Sequence, residues 1–219
     1  MINIFKVNKM ILVLLLTLTM SCSNDDDSPE ATSPSVSYNT ATINATFFQD
    51  GNTNAPTVNW NGNQGTFSLV NSMDGLSINT TTGVISWTKT LAAGEHEIQV
   101  VANNSAGQTT SYFTLKNLLQ GEFIGVIDQS AYFAIEFFTD GTIEIKASNP
   151  PEPAYYGTWV LTDDEILANL TLVEVPTEQY SLRGNLLQTN TSATYSGSIF
   201  WEHNAHPDNE QFPFVVVLE

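Results

Sequence analysis

The side chains most able to do chemistry in this 219-residue sequence fall into a few small groups. Glu136 and Glu144 flank the turn Thr139-Asp140-Gly141, and a hairpin there would set them side by side, as the two carboxyls of a retaining glycosidase stand about 5 Å apart. Cross-strand neighbours on any sheet share that spacing, so the pair by itself describes a sheet. His203 and His206 lie near Glu202 and Asp208 in the stretch Trp201 to Glu210. That stretch reads as a Pro-containing loop and lacks the register that holds two imidazoles on one face, so no metal site is expected. Asp163-Asp164-Glu165 lacks the spacing of a calcium loop and reads as a hydrated turn. Neither a G-x-S-x-G elbow, nor a glycine-rich phosphate loop, nor an H-E-x-x-H helix occurs. The sequence is therefore read as non-enzymatic and without a cofactor.

Aromatic residues are the better lead. Trp60, Trp87, Trp159, Trp201 and the pair Tyr155-Tyr156 carry flat apolar faces suited to stacking on sugar rings. Trp159 fits an inward strand position and is expected in a core. Tyr155 and Tyr156 sit beside Pro150-Pro151-Glu152-Pro153 in an expected loop, and Trp201 lies where a strand enters the histidine loop. Tyr155, Tyr156 and Trp201, with Glu202 and Asn204 to hydrogen-bond hydroxyls, form the candidate ligand-binding set. Stacking would supply area and the polar groups orientation.

The elements that must position these residues begin with an address. Lys6 and Lys9 open the chain, Met10 to Met20 is apolar, and small Ser21 precedes Cys22, the only cysteine. This is the order of a secretory signal, and the run falls short of the roughly 20 apolar residues that cross a bilayer. Leu18-Thr-Met-Ser-Cys22 resembles a bacterial lipobox, which implies lipidation of Cys22 and removal of residues 1–21. Ser23-Asn24-Asp25-Asp26-Asp27 resembles the acidic surface-export signal of Bacteroidetes lipoproteins, which implies an outer-membrane protein, lipid-anchored and facing the cell exterior. With Cys22 committed to lipid, no intramolecular disulfide can form, and stability must come from packing.

Loss of the first 21 residues leaves four basic residues against 23 acidic ones, a formal charge of −19. Such a balance repels nucleic acid and anionic lipid. Residues 22–35 are rich in Ser, Asp, Pro and Thr with almost no large apolar group, so an acidic flexible tether is expected.

From Val36 onward, short β-branched and aromatic runs alternate with Gly, Asn, Asp and Pro, and no helical period is sustained. This predicts an all-β chain in two domains, 36–117 and 119–219, each folding alone. About seven strands at sandwich spacing occupy the first. Gly75-Leu-Ser-Ile-Asn-Thr-Thr-Thr-Gly-Val-Ile-Ser-Trp87 followed by Ala93-Gly94-Glu-His-Glu-Ile-Gln-Val-Val-Ala-Asn-Asn-Ser-Ala-Gly107 resembles the Ig-like and cadherin-like repeats of bacterial surface proteins. That resemblance implies an Ig-like β-sandwich, with positive-φ turns at Gly83 and Gly107. Cadherin-type relatives hold calcium with clustered Asp and Glu; here Asn103 and Asn104 stand on the corresponding turn.

The second domain reads as about eight strands in meander order, closing as an up-and-down barrel or remaining a small open sandwich. In its clearest hairpin, Ala131 to Ala147, a three-residue loop with Gly141 left-handed pairs Phe137 with Ile143 and Ile135 with Ile145, leaving Glu136 and Glu144 together on the other face, tolerable only if wet. The order Gly121-Glu-Phe-Ile-Gly125, Phe138-Thr-Asp-Gly-Thr142, Gly157-Thr158-Trp159 resembles small lipocalin-like domains of Bacteroidetes lipoproteins. Two functions fit: a surface module whose barrel binds a polysaccharide or a surface protein, and a carrier or inhibitor holding a small apolar ligand inside the barrel. A calcium-binding adhesion module is a further alternative. Large inward candidates (Phe133, Ile135, Phe137, Trp159, Leu170, Tyr195) predict a filled interior and disfavour the carrier.

Overall fold

The computed structural model describes residues 31–148 and 151–219. The lipidation and export readings on Cys22 and Ser23 to Asp27 lie outside the described residues. The described chain is all-β, with a single turn of 3-10 helix at Pro207–Asn209 and no α-helix.

The first part is an Ig-like sandwich of short strands: β1 (Ser35–Ser37), β2 (Thr42–Asn44), β3 (Gly51–Asn52), β4 (Thr57–Asn59), β5 (Thr66–Leu69), β6 (Leu76–Ile78), β7 (Ile85–Trp87), β8 (Gly94–Asn104) and β9 (Gly107–Asn117). β2-β9-β8-β5 form one sheet, β3-β7-β6 a second, and β1-β4 a small third. Alternation drives the packing: Ile98, Val100 and Ala102 of β8 and Phe113 and Leu115 of β9 face inward onto Phe67, Ile85, Trp87 and Leu91. Gly83 takes φ 72 and Gly107 φ 155. At Gly83 the requirement is steric as well, because a Cβ would lie 2.7 Å from the Pro56 ring.

The end of the expected tether is tied to this sandwich. Asn104 donates to the carbonyls of Thr32 and Trp60, and Thr109 donates to that of Pro34. The Asn104 side-chain oxygen accepts from the amides of Ala106 and Gly107. The side chain expected on a calcium-type turn is thus committed to joining three segments of chain.

The second part is a closed antiparallel barrel of eight strands in sequence order: β10 (Gly121–Ile127), β11 (Ala131–Phe137), β12 (Thr142–Lys146), β13 (Pro153–Thr162), β14 (Glu165–Leu172), β15 (Gln179–Gln188), β16 (Ala193–Trp201) and β17 (Glu210–Leu218). Closure removes both sheet edges, as β10 pairs with β17 from Ile124↔Val217 to Ile127↔Phe214. The β11–β12 hairpin has the register that its apolar pattern requires, with Ile135↔Ile145, Phe137↔Ile143 and Gly141 at φ 84. Glu136 and Glu144 share the outer face, but water is not what reconciles them. Lys146 Nζ lies 2.7 Å from Glu122, 3.0 Å from Glu136 and 3.9 Å from Glu144, bridging a ladder of three carboxylates. Its hydrogen bonds to Glu122 and Glu136 hold the ammonium well above the usual lysine range.

The interior is filled. Phe123, Phe133, Ile135, Phe137, Leu170, Tyr195 and Phe214 are all buried in one cluster, with Trp159 packed against it. Gly197 pairs with Gly184 on one side and Phe214 on the other, and a Cβ on either glycine would fall within 2.2 Å of a carbonyl oxygen of the neighbouring strand, so the backbones approach closely there.

Phe47 and Phe48 belong to the sandwich by sequence, yet they bury in the barrel cluster, at 3% and 4% exposure. The alternation of residues 41–47 suggests a single sandwich strand through Phe47, whereas β2 ends at Asn44 and the chain reverses with Phe48 at φ 58. The Phe47 ring lies 6.4 Å from that of Phe123. Gln188, at the same end of the barrel, donates to the carbonyls of Lys89 and Leu91 and accepts from the Ala93 amide. The sandwich thus plugs one end of the barrel.

Phe47→Ala should therefore lower unfolding free energy by about 3–5 kcal/mol, the usual cost of emptying a buried phenylalanine site. A barrel fragment starting at Leu119 should melt below the barrel in the full chain. Calorimetry of both checks this; an unchanged melt in each case would show that the plug adds nothing.

Candidate binding site at the barrel mouth

The barrel's two ends differ because one is occupied. The base carries the tight turns 138–141, 163–164 and 189–192, beside Phe47 and Phe48. The opposite end carries the short turn 128–130, the connection between β12 and β13, of which 147–148 and 151–152 are described, and the longer connections 173–178 and 202–209. At this mouth the last inward-facing side chain of several strands reaches past the packed core.

Strand parity decides which aromatics reach it. Tyr155 and Tyr156 lie in β13 rather than in a loop, and the two-residue period sends them to opposite faces. Tyr155 points inward and packs against the core cluster, while Tyr156 is outward and 50% exposed. Tyr180, the first inward residue of β15, is the register partner of Trp201 at the end of β16. The rings form a chain: Tyr155 meets Tyr180 edge-on at 5.2 Å, and Tyr180 lies 4.8 Å from Trp201 with 35° between planes. These rings, with Ile127, Phe133, Ile199 and Phe212, line a cup of about 370 Å³. Asp128 and Gln211 supply polar groups at its edge. Across Trp201 an open groove continues between Thr177, Glu178, Gln179, Glu202 and His203. Trp201, 46% exposed, therefore has an apolar cup on one side and a polar groove on the other.

Of the five candidate residues, the structure brings Tyr155, Trp201 and Glu202 to this end. Tyr156 faces the outer wall. Asn204 also departs, because the chain folds back over the outside of β14 and β15 directly after Trp201. The Asn204 amide donates to Asn169 Oδ1 at 2.8 Å, Ala205 N donates to Ser181 Oγ, and Ser181 in turn donates to the Glu202 carbonyl at 2.7 Å. His203 Nε2 lies 3.0 Å from the Leu170 carbonyl oxygen. Glu202, Asn204 and Ala205 all adopt positive φ, a cost of order 1 kcal/mol or more each that these hydrogen bonds must offset. The loop is a clamp on the outer wall, and it fixes the exit direction of Trp201.

Tyr180 is the residue that sequence reading missed. Its signal was the alternation Tyr180, Leu182, Gly184, Leu186, which makes it the inward residue nearest the mouth. Its pairing with Trp201 depends on the β15–β16 register. The phenol donates to Glu178 at 3.0 Å. Burial first, then this bond and the neighbouring Tyr155 and Glu178, push its pKa up to about 12. Burial also raises Tyr155, with Glu178 adding to it.

The other chemistry-bearing groups do not assemble. Among the described residues no three His, Cys, Asp or Glu side chains are grouped to hold a metal. His206 sits 3.6 Å from Asp208 in an exposed turn. A larger cavity of about 660 Å³ lies at the plugged base, lined by Phe47, Phe48, Lys89, Glu136, Asp140 and Glu219 among others. It is wide and of mixed polarity; Phe137 and Phe138 also line it, and Lys89 lies over the Phe48 ring at 4.5 Å.

The family model described as Putative Ig domain matches residues 28–117, which covers the sandwich and leaves the barrel outside. Comparison with curated proteins and with solved structures gives no significant match. The N-terminal part is thus Ig-like in fold and similar to that family model, and it is followed by a closed eight-stranded antiparallel barrel.

Four buried or partly buried phenols should ionise late. Tyr38 reaches about 12 through burial, Tyr180 about 12, and Tyr155 and Tyr195 are also raised. A raised phenol favours the protonated native state, so the stability it contributes is complete below about pH 10 and is lost as pH climbs through the folded value. Absorbance titration at 295 nm should show a late group, and Tyr180→Phe should remove one member of it. Ionisation of all seven tyrosines in one step near pH 10 would contradict this packing.

Proposed function

We propose that this chain is a non-catalytic surface lipoprotein of Bacteroidetes type, anchored in the outer membrane through Cys22 and exported by Ser23-Asn24-Asp25-Asp26-Asp27, whose barrel mouth binds a glycan. The observation that carries the binding reading is Trp201, a half-exposed indole flanked by an aromatic cup and by a groove bearing Glu178, Gln179 and Glu202. A sugar ring laid on such a platform places its C–H face on the indole and its hydroxyls against the carboxylates and amide. The Ig-like domain agrees with a surface or adhesion-type module. In this reading it carries the barrel and blocks its base, leaving the mouth free for an extracellular polysaccharide or a glycan-bearing surface partner.

A second reading has one specific observation behind it. Ile127, Phe133, Ile199 and Phe212 make the cup itself apolar, a shape suited to a small apolar ligand as in a carrier or inhibitor. Because the interior is filled, such a ligand would sit at the mouth and not within the barrel.

Trp201→Ala should abolish retention on a polysaccharide affinity gel while the thermal midpoint stays within a few degrees of wild type. Tyr156→Ala, on the outer wall, should be retained as wild type is. Retention of the Trp201 variant would remove the mouth as the site, and loss of retention for the Tyr156 variant would move the site to the outer wall. Displacement of a fluorescent apolar dye, with no retention on any polysaccharide, would favour the carrier.

The anchor is tested separately. Cys22→Ala should release the protein from membranes, and replacing Asp25, Asp26 and Asp27 with Ala should leave it anchored but protected from protease added to intact cells. Protection of the wild-type protein in the same assay would end the surface reading.

A further inference from the structure

From the charge distribution around the mouth we infer that the preferred ligand is a glycan bearing free amino groups, an amino-sugar polymer in its cationic form; this rests on the glycan reading above. The described residues of the four mouth connections, 128–130, 147–148 with 151–152, 173–178 and 202–209, include Asp128, Glu152, Glu174, Glu178, Glu202 and Asp208 and not one Lys or Arg. Residues 31–219 hold only four basic side chains, and each is engaged elsewhere. Lys89 lies over Phe48 at the plugged base. Lys116 pairs with Glu95 on the sandwich at 2.6 Å. Lys146 is held on the outer wall by Glu122, Glu136 and Glu144. Arg183 donates to both oxygens of Glu165 across the outer faces of β14 and β15.

A uronate, sulfate or phosphate at the mouth would therefore lose hydration against Asp128, Glu178 and Glu202 with no cation to replace it. An ammonium there meets the opposite field. It gains from three carboxylates lining the cup and groove and from the faces of Trp201 and the tyrosines, whose quadrupoles attract cations. The arrangement also favours a sugar chain over a bare cation. Trp201 lines both cup and groove, so a ring stacked on it can place one side group toward Asp128 and another toward Glu178 and Glu202. The Tyr180 hydroxyl already bonds Glu178, which fixes that carboxylate at the junction of the two.

The test is calorimetric titration of the purified full-length protein with four hexamers: glucosamine, N-acetylglucosamine, galacturonate and lysine. The glucosamine hexamer should bind about tenfold tighter than its N-acetylated form, the sum of modest cation–π and exposed ion-pair gains. Galacturonate should not bind, and the advantage should shrink as salt shortens the Debye length from about 10 Å toward about 3 Å. The variant carrying Asp128→Asn, Glu178→Gln and Glu202→Gln should bind both glucosamine forms equally. Single Glu202→Gln should lose part of the preference and serves if the triple variant does not fold. Equal binding of the two forms by wild type, or binding of galacturonate, would overturn this inference and leave the glycan reading standing. Lysine hexamer binding as tightly as glucosamine would show charge alone at work and overturn the sugar assignment. No binding of any sugar hexamer would remove both.

Discussion

Two adjacent phenylalanines, Phe47 and Phe48, leave the sandwich that surrounds them in sequence and enter the end of the barrel, and most of what distinguishes the molecule depends on that insertion. A closed barrel has two ends, and neither can be capped by its own hydrogen-bonded strands. Filling one with rings from a neighbouring domain buries apolar area that would otherwise face water, roughly 2–3 kcal/mol per phenylalanine. It also makes the ends unequal. The base becomes part of a continuous core with Leu119, Phe123 and Phe137, and the mouth is left as the place where inward-facing side chains run out of neighbours.

The mouth inherits its chemistry from strand parity. Every second residue of β13, β15 and β16 faces the axis, so the last inward positions before the mouth, Tyr155, Tyr180 and Trp201, converge without any loop having to place them. Their hydrogen-bonded neighbours along the strands are core residues, which makes the aromatic chain as rigid as the barrel below it. A site built this way loses little side-chain entropy on binding, because its rings are already held by one another. The carboxylates of the cup and groove, Asp128, Glu178 and Glu202, come from the connections instead.

How much of this was legible in the sequence follows from which forces are local. Alternation and turn chemistry are local, so the all-β class, the β11–β12 hairpin with Ile135 opposite Ile145, and the left-handed glycines at 83 and 141 could be read directly. Meander order gave eight strands, but closure depends on β10 meeting β17 across some ninety residues, which alternation does not encode. The positions of Phe47 and Tyr156 were misjudged for one common reason. Each looked local, one in an apparent sandwich strand and one beside prolines, while its true placement is set by partners far along the chain: Phe123 for the first, and the β12–β13–β14 register for the second. Lys146 is a similar case, since three carboxylates converge on it only after two strand pairings are made.

The backbone after Trp201 concentrates conformational cost beside the proposed site. Three non-glycine residues in the span 202–205 take positive φ, and the chain accepts this to turn outward at once and clamp onto Asn169, Ser181 and Leu170. A relaxed connection could lie across the mouth, where Ala205 and the residues near it would cover the cup. The clamp instead holds the loop on the outer wall and leaves the face of Trp201 in water, although burying that face would be favourable by the ordinary hydrophobic measure. Ser181, fully buried, stands at the centre of the arrangement, donating to the Glu202 carbonyl and accepting from the Ala205 amide. A core serves stability alone by covering its rings; here strain and a buried hydroxyl are used to keep one uncovered, which is the physical argument for a ligand at that ring.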